Sequence, residues 1–441
     1  MRLFCSTRDA LATFRAGEGV IWERVRRAVP VAACVLAASC AGFAQNPPPS
    51  PSAAITMQQA VDLALMKNPN LLAAQQNLRS VKAQEIQAGV RANPYFGLVG
   101  SNVSLPAEGA SNPYAYAVQV SRLFERGEKR RWRLDIARST TEQTDAQYHL
   151  QEQQTILAVR EAFTNFVIAK AAKKLADENL SDYRRELTIG HDRYQAGDIA
   201  KLDFERLDLQ LAQFESDESN AVTNAQQASI QLQVLLGYDK ARVDFDVAGD
   251  VVPPAVNATM ADLEQKALVA RPDYHAAQVG VAVADANVKL AYANGTADPT
   301  LEGEYDRSGT YNSAGFNINI PIRIFDRNQG NKETTKYVAQ ASRFTELATR
   351  NQVVADVDQA WAGYVNAKVL SDRYNGHYLD EAKDVLDISQ FSYQHGGLAL
   401  IDYLDALRES RSVTADALNA YAQTWLAIHQ LSFASATDIV P

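Results

Sequence analysis

The chain has 441 residues, 46% of them hydrophobic, and a formal net charge of −9, so it can bury a large core and has no basic surplus pointing to nucleic acid. All three cysteines, Cys5, Cys34 and Cys40, fall in the first 40 residues. The body therefore has no disulfide framework, cysteine-bound zinc or thiol nucleophile.

In chain order, Arg24, Arg26 and Arg27 precede an apolar run from Ala28 to Ala41 and a small-residue site at Gly42-Phe43-Ala44, the pattern of an export signal over residues 1–44. A start nearer Val20 or Val25 would shorten its long leading segment. The alternative is lipid attachment at Cys40 after Leu36-Ala37-Ala38-Ser39, a lipoprotein-like box in which Ala37 fits poorly. Past the signal, no apolar run reaches the ~18 residues of a membrane helix. Residues 45–55, with Pro47-Pro48-Pro49 and Pro51, form a Pro-rich tether.

Beyond the tether the chain is an internal duplication. A helix pattern begins at Thr56 and is interrupted by Asn68-Pro69; a matching one begins at Thr259 and is interrupted by Arg271-Pro272. The repeats span residues 56–238 and 259–435, joined by a linker over 239–258 that carries Pro253-Pro254 and the short alternating stretch Val243 to Val247, with a tail over 436–441. Each repeat contains a very long helix, roughly Glu128 to Tyr194 and Gly330 to Tyr393. Its apolar positions step by 3 and 4: Ile156, Val159, Phe163 and Phe166 in one, Val354, Val357, Trp361 and Tyr364 in the other. Glycine tips come next in Tyr194-Gln195-Ala196-Gly197 and Tyr393-Gln394-His395-Gly396, where a residue free to take positive φ ends the helix. Return helices run from Leu202 to Leu236 and from Ile401 to Phe433.

Between the helices the period changes from 3.6 to 2. Strands are predicted at about 94–105, 114–123, 299–307 and 311–321. Tyr95, Val99, Val103 and Leu105 form the expected apolar side of the first, and Tyr114, Tyr116, Val118 and Val120 that of the second. Leu301, Gly303 and Tyr305 alternate with Glu302, Glu304 and Asp306; Phe316, Ile318 and Ile320 alternate with Asn317 and Asn319. Ten-residue segments with apolar and polar sides suit tilted membrane strands, and the three acids are then lumen-facing; the other reading is a pair of soluble hairpins capping a helical bundle. Four strands cannot close a barrel, and a bilayer tolerates no open edge. Membrane strands would require several chains to share a barrel, with three chains giving about twelve strands.

The ordered, duplicated motifs resemble the TolC-like outer-membrane efflux proteins: the Asn68-Pro69 start, Pro321-Ile322 with Phe325-Asp326-Arg327-Asn328 after the last strand, and the two Tyr-Gln-x-Gly tips. The resemblance covers Thr56 to Ser435. It implies a mainly α fold with a small β part, closed as a homotrimer with a 12-stranded barrel in outer-membrane lipid and a helical tunnel through the periplasm. It further implies a periplasmic adaptor docked at the tips around Tyr194, Gly197, Tyr393 and Gly396, and an inner-membrane transporter, for which the resistance-nodulation-division type is a candidate. Carboxylates after the second tip form rings at the family's gate, and Asp402 and Asp405 stand there, with Asp203 after the first tip. A basic residue two positions after the second glycine helps latch the family's closed state; this chain departs from the pattern with Leu398.

Three copies of Asp402 and Asp405 around a narrow axis would favour cations. The same aspartates also suit the positive end of the return helix. The six histidines, His149, His191, His275, His377, His395 and His429, have no metal-ligand spacing, and no phosphate-binding glycine loop occurs, so neither enzyme nor cofactor nor bound metal is expected. His395 in the second tip is either a pH sensor or a solvated turn residue. A periplasmic adaptor would carry one hairpin flanked by soluble β domains, and a structural coiled coil would have no use for lipid-facing aromatics. Within the fold, short strand loops such as Arg307 to Thr310 are similar to members serving heavy-metal cation pumps, with drug-efflux and type I secretion ducts as alternatives.

Overall fold

The computed structural model describes residues 54–101 and 114–439. The export signal, Cys40, most of the tether, strand positions 102–105 and the last two residues lie outside the described residues.

Each repeat opens with a two-helix elbow set by local chemistry. Helix α1 (Met57–Lys67) starts in a capping box, in which the Thr56 hydroxyl accepts from the Gln59 backbone and the Gln59 side chain accepts from Thr56 N. Helix α2 (Pro69–Gly89) follows at once, because Pro69 cannot donate into α1 and fits the first helical position. The Asn68 side chain accepts from Asn70 N at 2.9 Å and Leu71 N at 3.3 Å. The second elbow, α5 (Met260–Ala270) and α6 (Pro272–Asn294), starts on Thr259 and turns at Arg271. That buried guanidinium is held by Asp273 at 2.6 Å and Asp356 at 2.7 Å.

After each elbow comes a hairpin: β1 (Tyr95–Ser101) with β2 (Ala115–Leu123), and β3 (Thr300–Ser308) with β4 (Tyr311–Asn319). Together they form one antiparallel sheet in the order β1-β2-β3-β4, leaving the outer edges of β1 and β4 unpaired among the described residues. The register puts Glu302, Glu304 and Asp306 opposite Ser121, Gln119 and Ala117, and opposite Asn317, Gly315 and Ser313. The other face carries Val118, Val120, Leu301, Tyr305, Phe316 and Ile318. One expectation is corrected. Tyr95 and Val99 lie on the polar face, opposite Ser121 and Ala117, and the apolar residues of β1 are Phe96 and Leu98, opposite Val120 and Val118.

Helix α3 (Lys129–Ala196) has 68 residues, about 100 Å of continuous helix, and α4 (Lys201–Leu235) returns beside it. Thr155, Val159, Ala162, Phe163 and Phe166 form its buried stripe. They pack with α1 and the end of α4 in a core of Ala60, Val61, Ala64, Leu232 and Leu236. The second repeat builds the equivalent core from Leu263, Ala267, Val353, Val357, Ala360, Tyr364, Ile428 and Leu431. Here the expected seam shifts: Val353 and Ala360 are buried, while Val354 and Trp361 flank them half-buried. Adjacent residues of a helix point about 100° apart, so only one of each pair can face the core. The linker's alternating stretch forms a single parallel bridge, Val247 with Ile55, rather than a strand.

The second long helix is not uniform. It consists of α7 (Gln329–Arg373), a π-helical turn over Tyr374–Tyr378 and α8 (Leu379–Gln394), followed by α9 (Leu400–Ser435). The duplication explains the turn. Val159 and Val357 are 198 residues apart, as are Phe166 and Tyr364, whereas Tyr194 and Tyr393 are 199 apart. One extra residue lies between Tyr364 and Tyr393, and a π turn absorbs a one-residue insertion without shifting the helix on either side.

Candidate functional site

Both tips have the same local geometry. Gly197 has φ +83° and Gly396 has φ +75°, with open space where a Cβ would sit, so backbone conformation alone requires glycine there. Asp198 N donates to Arg193 O at 2.8 Å, and Gly397 N to Ser392 O at 2.7 Å, closing each helix end. The return helices start on Ala200 and Ala399, which offer no side-chain cap. Asp203 and Asp402 are the acids of these uncapped first turns, where their charge suits the exposed N–H groups.

The tips differ in what they bury. Tyr194 stacks on Phe204 with centroids 5.4 Å apart, and at the matching positions Tyr393 stacks on Tyr403 at 5.1 Å. The first pair is largely on the surface. The second is buried in a cluster that joins the two hairpins: Leu180 and Tyr183 of α3, Leu207 and Phe214 of α4, Tyr393 of α8, and Leu400, Tyr403 and Leu404 of α9. Leu398 packs against this cluster, so the position at which the resemblance leads one to expect a basic residue is an apolar seat. Burial pushes the Tyr183 and Tyr403 phenols well above their ordinary value. Burial raises Tyr393 too; the Arg193 charge opposes this, and Glu186 and Asp203 add to it.

Polar contacts complete the junction. The Arg193 guanidinium lies 5.2 Å from the Tyr393 ring centroid, and the Tyr183 hydroxyl donates to Leu207 O at 2.8 Å. Arg411 of α9 lies 4.0 Å from the Phe214 ring centroid and pairs with Asp217 of α4. Apart from Tyr393, none of these residues stands out in the sequence, because each acts through a contact with another helix. The matched aromatics Phe204 and Tyr403, like Tyr194 and Tyr393, occupy one position of both repeats.

The three gate candidates separate. Asp402 and Asp405 are exposed on α9, on the side away from the buried Tyr403 and Leu404, and Asp405 accepts from Arg408 at 2.8 Å. Asp203 is half-buried, with Arg206 at 3.9 Å, and its charge reaches Tyr393 of the other hairpin. His395 is exposed, with Nδ1 2.8 Å from its own helix carbonyl at Phe391. At the sheet, Glu302, Glu304 and Asp306 share one half-buried face, where Gln119 donates to Glu304 at 3.3 Å. Among the described residues no group of three or more His, Cys, Asp or Glu side chains converges on a metal position, and no helix is long and apolar enough to cross a membrane.

The sequence pattern of the outer membrane efflux protein family matches residues 60–238 and 263–437. The cobalt-zinc-cadmium resistance protein CzcC of Cupriavidus metallidurans is 26% identical over 382 residues, covering 85% of this chain and 88% of that protein. The outer membrane protein TolC of Vibrio cholerae is 24% identical, covering 69% of this chain and 72% of its own length. A solved structure of CusC superposes with a TM-score of 0.73 at 20% identity, covering 86% of this chain and 91% of that one. Both repeats, the sheet and the tips fall within these matches, and the chain belongs to the outer membrane efflux protein family, whose helical part lies in the periplasm.

Proposed function

We propose that three copies of this chain form the passive exit duct of a tripartite efflux system for heavy-metal cations. The observation that carries this is the sheet: one apolar face, one face with Glu302, Glu304 and Asp306, and two unpaired edges. In a bilayer both edges must be satisfied, and a ring of identical sheets, β4 of each copy meeting β1 of the next, does so with the acids inward.

The helical hairpins continue the ring as a tunnel, and the glycine tips around Tyr194, Gly197, Tyr393 and Gly396 meet a periplasmic adaptor. Energy comes from an inner-membrane transporter, with the resistance-nodulation-division type the candidate. Asp402 and Asp405, exposed and repeated threefold, ring the entrance, and Asp203 works at the junction between hairpins. The choice of metal cations is supported by the names of relatives: cobalt-zinc-cadmium resistance, nickel-cobalt-cadmium resistance and cation efflux proteins.

The test is a deletion strain challenged with cobalt, zinc, cadmium, drugs and detergents, together with single-channel recording of the purified protein. Metal hypersensitivity rescued by the cloned gene supports the proposal. Sensitivity to drugs alone would reassign the cargo, and a protein that conducts no ions in bilayers would end the duct reading.

A further inference from the structure

The apolar face of β2 ends in a cation. Tyr116, Val118 and Val120 share that face, and the next residue on it is Arg122, opposite Leu301 of β3. Arg122 is exposed, and its guanidinium lies 5.1 Å from the Phe124 ring centroid. It makes no ion pair among the described residues, because the neighbouring acids are committed elsewhere. Glu125 holds Arg133, Asp298 holds Lys129 at 2.6 Å, and Glu128 holds Arg131 at 3.2 Å.

The surroundings have the chemistry of a membrane interface. Arg126 and Arg130 also lack ion pairs among the described residues, and Trp132 lies beneath Arg131 and Lys289. The second repeat copies the sequence: Leu123-Phe124-Glu125-Arg126 is matched by Ile324-Phe325-Asp326-Arg327, with Phe325 89% exposed, while Arg323, at the position of Arg122, donates to Asn294 O. Aromatic rings and cations side by side at the end of an apolar surface belong at headgroup level. A guanidinium that cannot lose its proton and that terminates a lipid-facing row needs an anion there.

We propose that Arg122, seated on Phe124, binds the phosphate of a phospholipid in the periplasmic leaflet, its acyl chains lying along Val120, Leu301 and Ile318. Arg126, Arg130 and Arg327 add positive charge at the same level and favour a lipid with net negative charge. The site rests on the proposed outward orientation of the apolar face.

The test is native mass spectrometry of the full-length protein, first in vesicles containing phosphatidylglycerol and then released into mild detergent. Wild type is expected to retain phosphatidylglycerol, and Arg122→Gln to retain about tenfold less. Arg122→Lys should keep most of the binding, and Phe124→Ala should lose part of it. Excess inorganic phosphate should not displace the lipid. Equal retention by wild type and Arg122→Gln, or displacement by free phosphate, would overturn the site. A wild-type protein that never enters the vesicles would overturn the membrane orientation along with it.

Discussion

The guanidinium of Arg193, one turn before the first tip, lies over the ring of Tyr393 at the second, and so bridges the two hairpins of one chain. With Leu398 in an apolar seat, this contact and the apolar cluster of Leu180, Tyr183, Leu207 and Phe214 against Tyr393, Tyr403 and Leu404 hold the second hairpin to the first. A cation over a tyrosine contributes about 1 kcal/mol, which corresponds to roughly fivefold in a two-state equilibrium per copy. Arg193→Ala is therefore expected to free the second hairpin and raise single-channel conductance, with little change in melting temperature. An unchanged conductance distribution would show that the contact does not restrain the tip.

The aspartates after the second tip separate charge from helix capping. Asp402→Asn with Asp405→Asn keeps side-chain size and removes up to six charges from a trimeric entrance, so cation-over-anion selectivity should fall several-fold. Reversal potentials across a salt gradient measure this. If selectivity persists, Asp402 serves only the uncapped start of α9 and Asp405 only its pair with Arg408.

Stability should depend on pH through His429, far from the tips. Its ring is buried between α3 and α9, 2.9 Å from the Thr164 hydroxyl, and burial, helped by the Arg160 charge, lowers its pKa to about 4. The unfolded chain, with an ordinary value near 6.5, binds more protons between those limits. The stabilisation is complete above about pH 6.5 and is lost as pH falls towards 4, amounting to about 2 kcal/mol per chain between pH 7 and 5. Melting curves of wild type and His429→Gln should converge as pH falls; a constant difference would contradict the assignment.

Deleting Gly376 removes one residue from the π turn, which should then close as regular α-helix. The helical phase above and below is unchanged, so a loss of at most about 1 kcal/mol is expected, against several for deleting Thr188 from uninterrupted α3. Thermal unfolding followed by circular dichroism compares the two. Equal damage would mean that the turn does not carry the extra residue.

Much of this architecture was legible in the sequence because its signals are local. The glycines of Tyr-Gln-x-Gly, the prolines after Asn68 and Arg271, and the change of period from 3.6 to 2 each arise from backbone sterics or from one repeat's own alternation. The offsets of 198 and 199 also held the π turn in view, but an insertion in a sequence does not say which helical form absorbs it.

The remainder was decided by partners distant in the chain. Period two divides β1 into two sides without naming them. Tyr95 and Val99 are an aromatic and an aliphatic residue, as are Phe96 and Leu98, and only the register against β2 puts the latter pair beside Val120 and Val118. Val353 replaces Val354 in the core because the space between α5 and α9 admits one of two adjacent valines. Arg193 finds Tyr393 because two hairpins converge, and Arg122 is left over once its neighbours have chosen their acids. The sequence by itself determined the repeats, their helices and strands, and the glycine tips, since those depend on residues a few positions apart. Which face is buried and which charges stay unpaired depended on contacts between elements more than 200 residues apart in places, and those exist only once the chain has folded.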